Sequence, residues 1–457
     1  MKTKLINSAV RASLILLLSL GFFLGINGQV SVSEEQWVIP TYMVSQPDKN
    51  PIFFKGESYQ GASKVVYPYA MNDVISNERT EKSWKTLMLE NEYIKVCVAP
   101  EIGGKLYYAT DKTNNYNFIY KNNVVKPSNI GMLGAWVSGG IEWCVLHHHR
   151  ASTFLPVDYT LTENEDGSKT IWVGETEPRH RMRWTIGITA FPGKSYFQAE
   201  VRIHNPTPYT HSFLYWANVA THTNENYQVI FPPSVEFATF HAKNSFTRWP
   251  FSTEVYAGHD FTKGVDVSWW KNVVNSASFF AHDLKEDFMG GYDHGKQSGT
   301  VHIADHNIVK GAKLWEWGSG ARGQATEGRL TENDGPYVEI MVGAFSDNQP
   351  DYSWIEPYEV KTFRQYWYPV KDIRGFKNAN LKGAVNLEAQ EKNQVFLGYY
   401  STGMVKNARI VLKNKDAVVF SRELEISPSK AFTQTIKLEG PFEITDLYTE
   451  MTYLSTG

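Results

Sequence analysis

Alternation of apolar with polar or small residues, repeated in short runs that end at turn signals, constrains this chain more than any other feature. Met182, Trp184, Ile186, Ile188 and Ala190 mark one such run, the period of a strand with one face buried. Pro192-Gly193 turns the chain, and Phe197, Ala199, Val201 and Ile203 alternate back until Asn205-Pro206-Thr207-Pro208. Asp166-Gly167 between Tyr159–Thr162 and Thr170–Val173 is a short hairpin signal. Helical periodicity over long stretches is almost absent. The expectation is an all-β, antiparallel protein.

Composition narrows the function classes. The net charge of −3 comes from scattered charges with no basic stripe, which argues against a nucleic-acid binder. The chain carries 14 Trp, 25 Tyr and 25 Phe. Many of these suit the pleated surfaces of a β core, yet tryptophans beside polar motifs also fit carbohydrate recognition, in which C–H faces of a sugar stack on rings.

Residues 1–28 read as an export signal. Lys2, Lys4 and Arg11 form the positive region, Leu14–Leu24 is an apolar run too short to span a bilayer comfortably, and Asn27-Gly28 is a plausible cleavage point. The mature protein is expected in the periplasm or outside the cell, without a membrane span. Residues 29–82 form an N-terminal extension, and 83–373 one long β domain. Beyond Gly375 the short strands Val395–Tyr400, Ala408–Leu412, Ala417–Phe420 and Phe432–Ile436 suggest a small β-sandwich over 375–457. Its uncapped ending fits a piece of something longer. Cys97 and Cys144 fit either a disulfide or two buried thiols.

Gly139-Gly140-Ile141-Glu142-Trp143, followed closely by His147-His148-His149-Arg150, gathers a carboxylate, an indole, three imidazoles and a guanidinium. Carboxylates and imidazoles exchange protons near neutral pH, and an indole offers an apolar face with one donor. On a strand, neighbouring histidines point to opposite faces, so either His147 and His149 share a face or His148 faces the cleft alone. His147, His149 and Glu142 could ligate a divalent metal, but the spacing matches no metal motif. The expectation is no cofactor and no metal. Arg179, Arg181 and Arg183 alternate, as on a solvated strand face or one gripping an acidic sugar.

Two segments carry a family resemblance. Asn91–Val96 with Pro100–Leu106 and Asp111-Lys112, and then Tyr337–Ile340 through Gln349-Pro350-Asp351 and Glu356–Glu359 to Tyr366–Tyr368, resemble the opening and closing hairpins of the aldose 1-epimerase, or galactose mutarotase-like, superfamily. Gly139–Trp143, Tyr215–Asn218, Asp287–His294 and Lys313–Gly318 are similar to an exported bacterial family known as domain of unknown function 5107. Cys144-Val145-Leu146 and the histidine triplet depart from that family's usual pattern. The resemblance implies a galactose mutarotase-like β-supersandwich with a concave, sugar-facing sheet, a catalytic glutamate at Glu339 and a catalytic histidine near His222.

The functional expectation follows. Glu339 would be base or nucleophile, with Glu142, His148 or His222 as the acid. Trp143, Arg150, Trp216, Asn218, Asp293, His294, Trp315, Glu316 and Trp317 would contact substrate. Glu316 sits between two indoles and points opposite to them, so it would leave the cleft if the indoles line it. Two carboxyl groups ~5 Å apart would retain configuration in glycoside hydrolysis and ~6.5–9.5 Å apart would invert it. The partner is an oligosaccharide or polysaccharide. The chain is read as a secreted carbohydrate-active protein of glycoside hydrolase type, and alternatively as a non-catalytic glycan-binding module of a larger polysaccharide-utilisation protein.

Overall fold

The computed structural model describes residues 28–48, 72, 74–130, 134–146, 149–178, 180–391 and 393–453. The expected export signal therefore lies outside the described residues, apart from Gly28. Among the described residues the fold is all-β. A twelve-stranded sheet and an eight-stranded sheet, both built from antiparallel pairings, face each other across one large apolar core.

Alternation decides which side chains enter that core. In the paired strands Arg183–Ala190 and Phe197–His204 the residues Trp184, Ile186, Ile188, Phe197, Ala199, Val201 and Ile203 are all buried in it. The neighbouring Lys169–Thr176 and Val360–Lys371 extend the same sheet, contributing Ile171, Val173, Phe363 and Trp367. This is the half-buried pattern of an antiparallel sheet.

The twelve-stranded sheet differs because its central strands are buried on both faces. Lys105–Asp111, Ile141–Val145, Tyr215–His222, Tyr337–Ala344, Gly311–Glu316 and Ala277–Ala281 lie side by side in that order. Odd-numbered residues of Ile141–Val145 and Tyr215–His222 and even-numbered residues of Tyr337–Ala344 enter the inter-sheet core. Their opposite parities point to a second, concave face that carries smaller apolar clusters around Trp216 and around Tyr337. Polar side chains between those clusters are the ones that need explaining.

Ser31–Val44 pairs with Ile75–Glu90 and forms the edge of the twelve-stranded sheet. At the other end of the chain, Asn378–Asn380, Gly383–Gln390, Gln394–Ser401 and Phe432–Lys437 form a four-stranded sheet. Val405–Asn414, Ala417–Ile426 and Leu447–Tyr453 form a three-stranded one, and the two close over Val395, Leu397, Ile410, Leu412 and Ile426. That is a small β-sandwich. Cys97 and Cys144 are free, buried thiols in separate clusters, which decides the choice the sequence left open. No helix among the described residues is long and apolar enough to cross a membrane.

The arginine run is corrected. Arg179 lies outside the described residues, Arg181 has φ +59°, and the Glu177 N–H donates to Met182 O at 2.8 Å. The segment is thus a turn, and only Arg183 of the described pair stands on the strand that follows.

Trp216 lies flat over the sheet because its neighbours have no side chains. A Cβ on Gly343 would sit 2.3 Å from its ring, and one on Gly311 2.4 Å. Gly343→Ala is expected to lower stability by about 1–3 kcal/mol through overpacking, read from urea denaturation midpoints. Combined with Trp216→Leu, the alanine should cost less than it does alone, a coupling visible in a double-mutant cycle.

Candidate functional site

The concave face brings together residues far apart in sequence. Register places Asn218 opposite Glu142, Ala220 opposite Glu339, and Trp315 on the other side of Glu339. Lys313, two residues before Trp315, shares its face and lies diagonal to Glu339 across the strand pair. Glu142, Asn218, Lys313, Lys105 and Glu339 are all buried.

Glu142 is a buried carboxylate that receives four donors. Its Oε2 accepts from Trp136 Nε1 at 2.8 Å, from His149 Nδ1 at 3.0 Å and from Asn218 Nδ2 at 3.4 Å, and its Oε1 from Thr153 Oγ1 at 2.8 Å. Burial pushes the carboxyl up, but His149, the Trp136 N–H and the Lys105 ammonium together hold it well below the usual carboxylate range. His149 reaches it because the strand ends at Val145 and the chain doubles back, with Leu146 at φ +68° and His149 at φ +47°.

Glu339 is the opposite case. It accepts no hydrogen bond recorded among the described residues. Burial pushes its carboxyl up to about 7, against the pull of His149 and Lys313, and the Glu142 charge adds to the rise. Burial brings the Lys313 ammonium down to about 7, opposed by Glu339. Each group is thus driven towards its neutral form by burial, and each charge favours the charged form of the other. Lys313 Nζ donates to Gln349 Oε1 at 2.6 Å. Burial lowers Lys105 to about 8, and its Nζ donates to Val137 O at 2.6 Å.

An aromatic wall flanks Glu339. Trp315 and Trp317 are both partly exposed, meet edge to face at 4.4 Å, and Trp317 Nε1 donates to Tyr337 OH at 3.0 Å. Across the sheet, Asn218 Oδ1 is buried with no partner among the described residues, an acceptor left for a ligand or water.

Two groups of side chains place metal-ligand atoms within 4.8 Å of one another: Glu142 with Cys144 and His149, and the more exposed Asp287 with Asp305 and His306. In the first, a cation would have to displace the donors on Glu142, and burial, reinforced by the Glu142 charge, raises the Cys144 thiol far above its ordinary range. That donor set fits a proton better than a metal.

The model of the family described as domain of unknown function DUF5107 matches residues 62–370, which include every group named above. The chain belongs to that family. A model described as YphG-like protein, second domain, matches residues 378–454, the small sandwich. Among solved structures, a TPR-domain containing protein from Parabacteroides distasonis is 23% identical with a TM-score of 0.64 over 75% of this chain and 55% of its own. The chain thus spans about half the length of that protein, and the likeness establishes a shared fold. A galactose mutarotase-like protein from Clostridium acetobutylicum is 11% identical with a TM-score of 0.44, over 63% of this chain and 96% of its own. That overlay is too loose to carry an argument.

For this DUF5107 member the structure sorts the sequence-based candidates. Glu339, Glu142, Asn218, Trp315 and Trp317 converge on the concave face. Glu142 is held ionised by its donors and so cannot be the proton-donating acid. His148 lies outside the described residues, as does His147, and the strand parity applied to the triplet fails because the strand has ended before it. His222 shares a face with Asn218 but lies further along, stacked on Tyr120 at 4.1 Å. It accepts from the Lys121 N–H at 3.4 Å, and burial, with Lys296 adding to it, lowers it to about 4. It is neutral at pH 7 and is no acid there.

Five expected contacts leave the groove altogether. Trp143 has core parity; it packs against Trp367 at 6.2 Å and donates to Gly104 O at 3.1 Å. Trp216 is on the right face but wholly covered. Glu316 points opposite to the two indoles into a buried position, where burial and Glu327 raise its carboxyl well above the ordinary range. Asp293 caps a hairpin turn, accepting from the N–H groups of Gly295 and Lys296 at 2.9 Å. His294 lines a different cleft, beside Gln228 and Arg374. Arg150, a sixth, is a structural clamp. It donates to Trp143 O at 2.9 Å, to Ser152 Oγ at 2.6 Å and to Gly103 O, pairs with Glu175 at 3.3 Å, and stacks on Trp184 at 4.3 Å.

Lys313, Lys105, His149 as the partner of Glu142, Trp136 and Thr153 complete the site and were not foreseen. Lys313 could have been found, since Gly311, Lys313 and Trp315 alternate against Ala312 and Leu314. Arg150→Lys should destabilise the fold by about 3 kcal/mol, because an ammonium cannot reproduce four directed contacts. Chemical denaturation reads this loss, and Arg150→Ala should be at least as severe.

Proposed function

We propose that this protein binds a carbohydrate on the concave face and moves protons at an anomeric or glycosidic centre there. The observation that carries the reading is Glu339, a buried carboxyl poised near neutrality, with no hydrogen bond to a described residue, beside two partly exposed indoles. A carboxylate with its pKa near the working pH is well matched to general base catalysis, and indole faces suit the C–H faces of a sugar ring. The resemblance of the surrounding stretch to the aldose 1-epimerase superfamily points to the same glutamate.

In this reading Glu339 takes a proton from an anomeric hydroxyl or an attacking water. Its diagonal neighbour Lys313 stabilises the carboxylate before transfer. His149, oriented through Nδ1 by Glu142, supplies a proton to the ring or leaving oxygen. Asn218 Oδ1 accepts from a substrate hydroxyl. Export to the periplasm or cell exterior, from the basic residues and apolar run at the N-terminus, fits an extracytoplasmic glycan as substrate.

The test is a panel of mono- and oligosaccharides, followed by polarimetry for anomer interconversion and by reducing-sugar release for hydrolysis. Glu339→Gln is expected to lower kcat by about 10²–10⁴-fold with the fold intact. Binding without either reaction in the wild type would overturn the catalytic reading and leave a glycan-binding module. Because the base must be ionised, kcat/KM should rise with pH through about 7 and be lost below it. Lys313→Met removes a cation that favours the ionised form, so the midpoint of that rise should move to higher pH. A midpoint that stays fixed or falls would rule out the coupling.

A further inference from the structure

Beyond Glu339 the strand face continues past the buried Tyr120, Ala220 and Tyr337 to His222. Trp216, Asn218, Ala220 and His222 share one face of their strand, and Glu339 lies beside Ala220, while Tyr337 lies beside His222. Two residues along a strand amount to ~7 Å, so His222 lies about one sugar ring away from the reactive carboxyl. It opens onto a separate cavity of 610 Å³, lined by Asn117, Lys121, His222, Lys296, Asn333 and Asp334 among others, within the usual size for a ligand pocket.

The chemistry of that cavity is selective. His222 offers a neutral ring, its Nε2 taken by the Lys121 N–H at 3.4 Å and its face by Tyr120 at 4.1 Å. Asn117 accepts from Thr110 Oγ1 at 2.7 Å through Oδ1, and no hydrogen bond from its amide nitrogen to a described residue is recorded. Asp334 is occupied by Asn123 and, at 3.2 Å, by Thr331. Neither ammonium makes an ion pair shorter than 4.0 Å among the described residues. Lys121 sits over the Trp37 and Tyr108 rings at 5.3 and 4.9 Å, and Lys296 is 4.0 Å from Asp293 with its side chain largely exposed.

We propose that this cavity is a second glycan subsite that takes a neighbouring sugar residue bearing a carboxylate, so that the substrate is an acidic oligosaccharide rather than a monosaccharide. The amides read ring hydroxyls, Lys121 and Lys296 meet the carboxylate, and the His222 and Tyr116 rings form the apolar side. This rests on the groove at Glu339 being a sugar site.

The experiment is calorimetric titration with neutral and uronate-containing oligosaccharides of one to four residues, using wild type, Lys296→Gln, Asn117→Ala and Trp315→Ala. The expected result is that a uronate-containing oligomer binds more tightly than any monosaccharide. Lys296→Gln and Asn117→Ala, both with unchanged melting temperature, should each weaken the oligomer by about tenfold and leave the monosaccharide unaffected. Trp315→Ala should weaken both. Equal affinity for monomer and oligomer, a preference for neutral oligomers, or Lys296→Gln binding like wild type would each overturn the subsite while leaving the groove at Glu339 standing. No binding by any saccharide would overturn both readings.

Discussion

Burial of the central strands on both faces is the constraint from which the rest of this structure follows. A sheet with one wet face can carry charges there at little cost, because water solvates them. Here Ile141–Val145, Tyr215–His222, Tyr337–Ala344 and Gly311–Glu316 are covered on the concave side as well. Each polar side chain on that side must be matched by partners or shift its protonation. The face therefore separates its acids by environment. Glu142 receives four donors and remains charged, while Glu339 receives none from the described residues and is driven towards neutrality. Two carboxyl groups on neighbouring parts of one surface are thereby pushed in opposite directions by their surroundings.

The cations complete that division. Lys105 and Lys313 are both lowered by burial, yet neither is extruded, because each is tied to a fixed oxygen: Val137 O for one and Gln349 Oε1 for the other. Their charges act unequally. Lys105 supports the ionised Glu142, whereas Lys313 favours the ionised form of Glu339 against a larger opposing effect of burial. The same ammonium that would lower the barrier to ionising Glu339 is itself weakened by the dry surroundings, so neither group dominates. His149 links the two halves, since it is fixed by Glu142 and is also the strongest favourable influence on Glu339.

Much of this was legible as parity. Alternation in the Met182–Ile203 hairpin forecasts the antiparallel sheets, and the Trp315-Glu316-Trp317 pattern separates the two indoles from the carboxylate between them. Parity also holds the information that Trp143 and Glu142 must face opposite ways, so both could not line the same groove. What sequence does not carry is the identity of the wet face when both faces are dry: Trp216 has the correct parity and is still covered, because two paired glycines on the next two strands let its ring lie down. Nor does a motif show where a strand stops. The histidine triplet reads as alternating strand residues until Leu146 turns the chain, and only after that turn can His149 return to the side of Glu142. Arg150 reads as a substrate contact for the same reason, since its true partners, Gly103 and Glu175, come from segments with no sequence link to it.

The two described histidines on the concave face show why residue type alone misassigns roles. Both have a carboxylate or an ammonium nearby. His149 is anchored by a buried carboxylate that keeps one ring nitrogen engaged. His222 is buried against Tyr120, accepts from a backbone N–H and faces the Lys296 charge, all of which favour the neutral ring. An imidazole that is neutral, stacked and committed to a backbone donor contributes shape and an apolar edge. What separates the two rings is what holds them: the Glu142 carboxylate on Nδ1 for His149, and burial beside Tyr120 for His222.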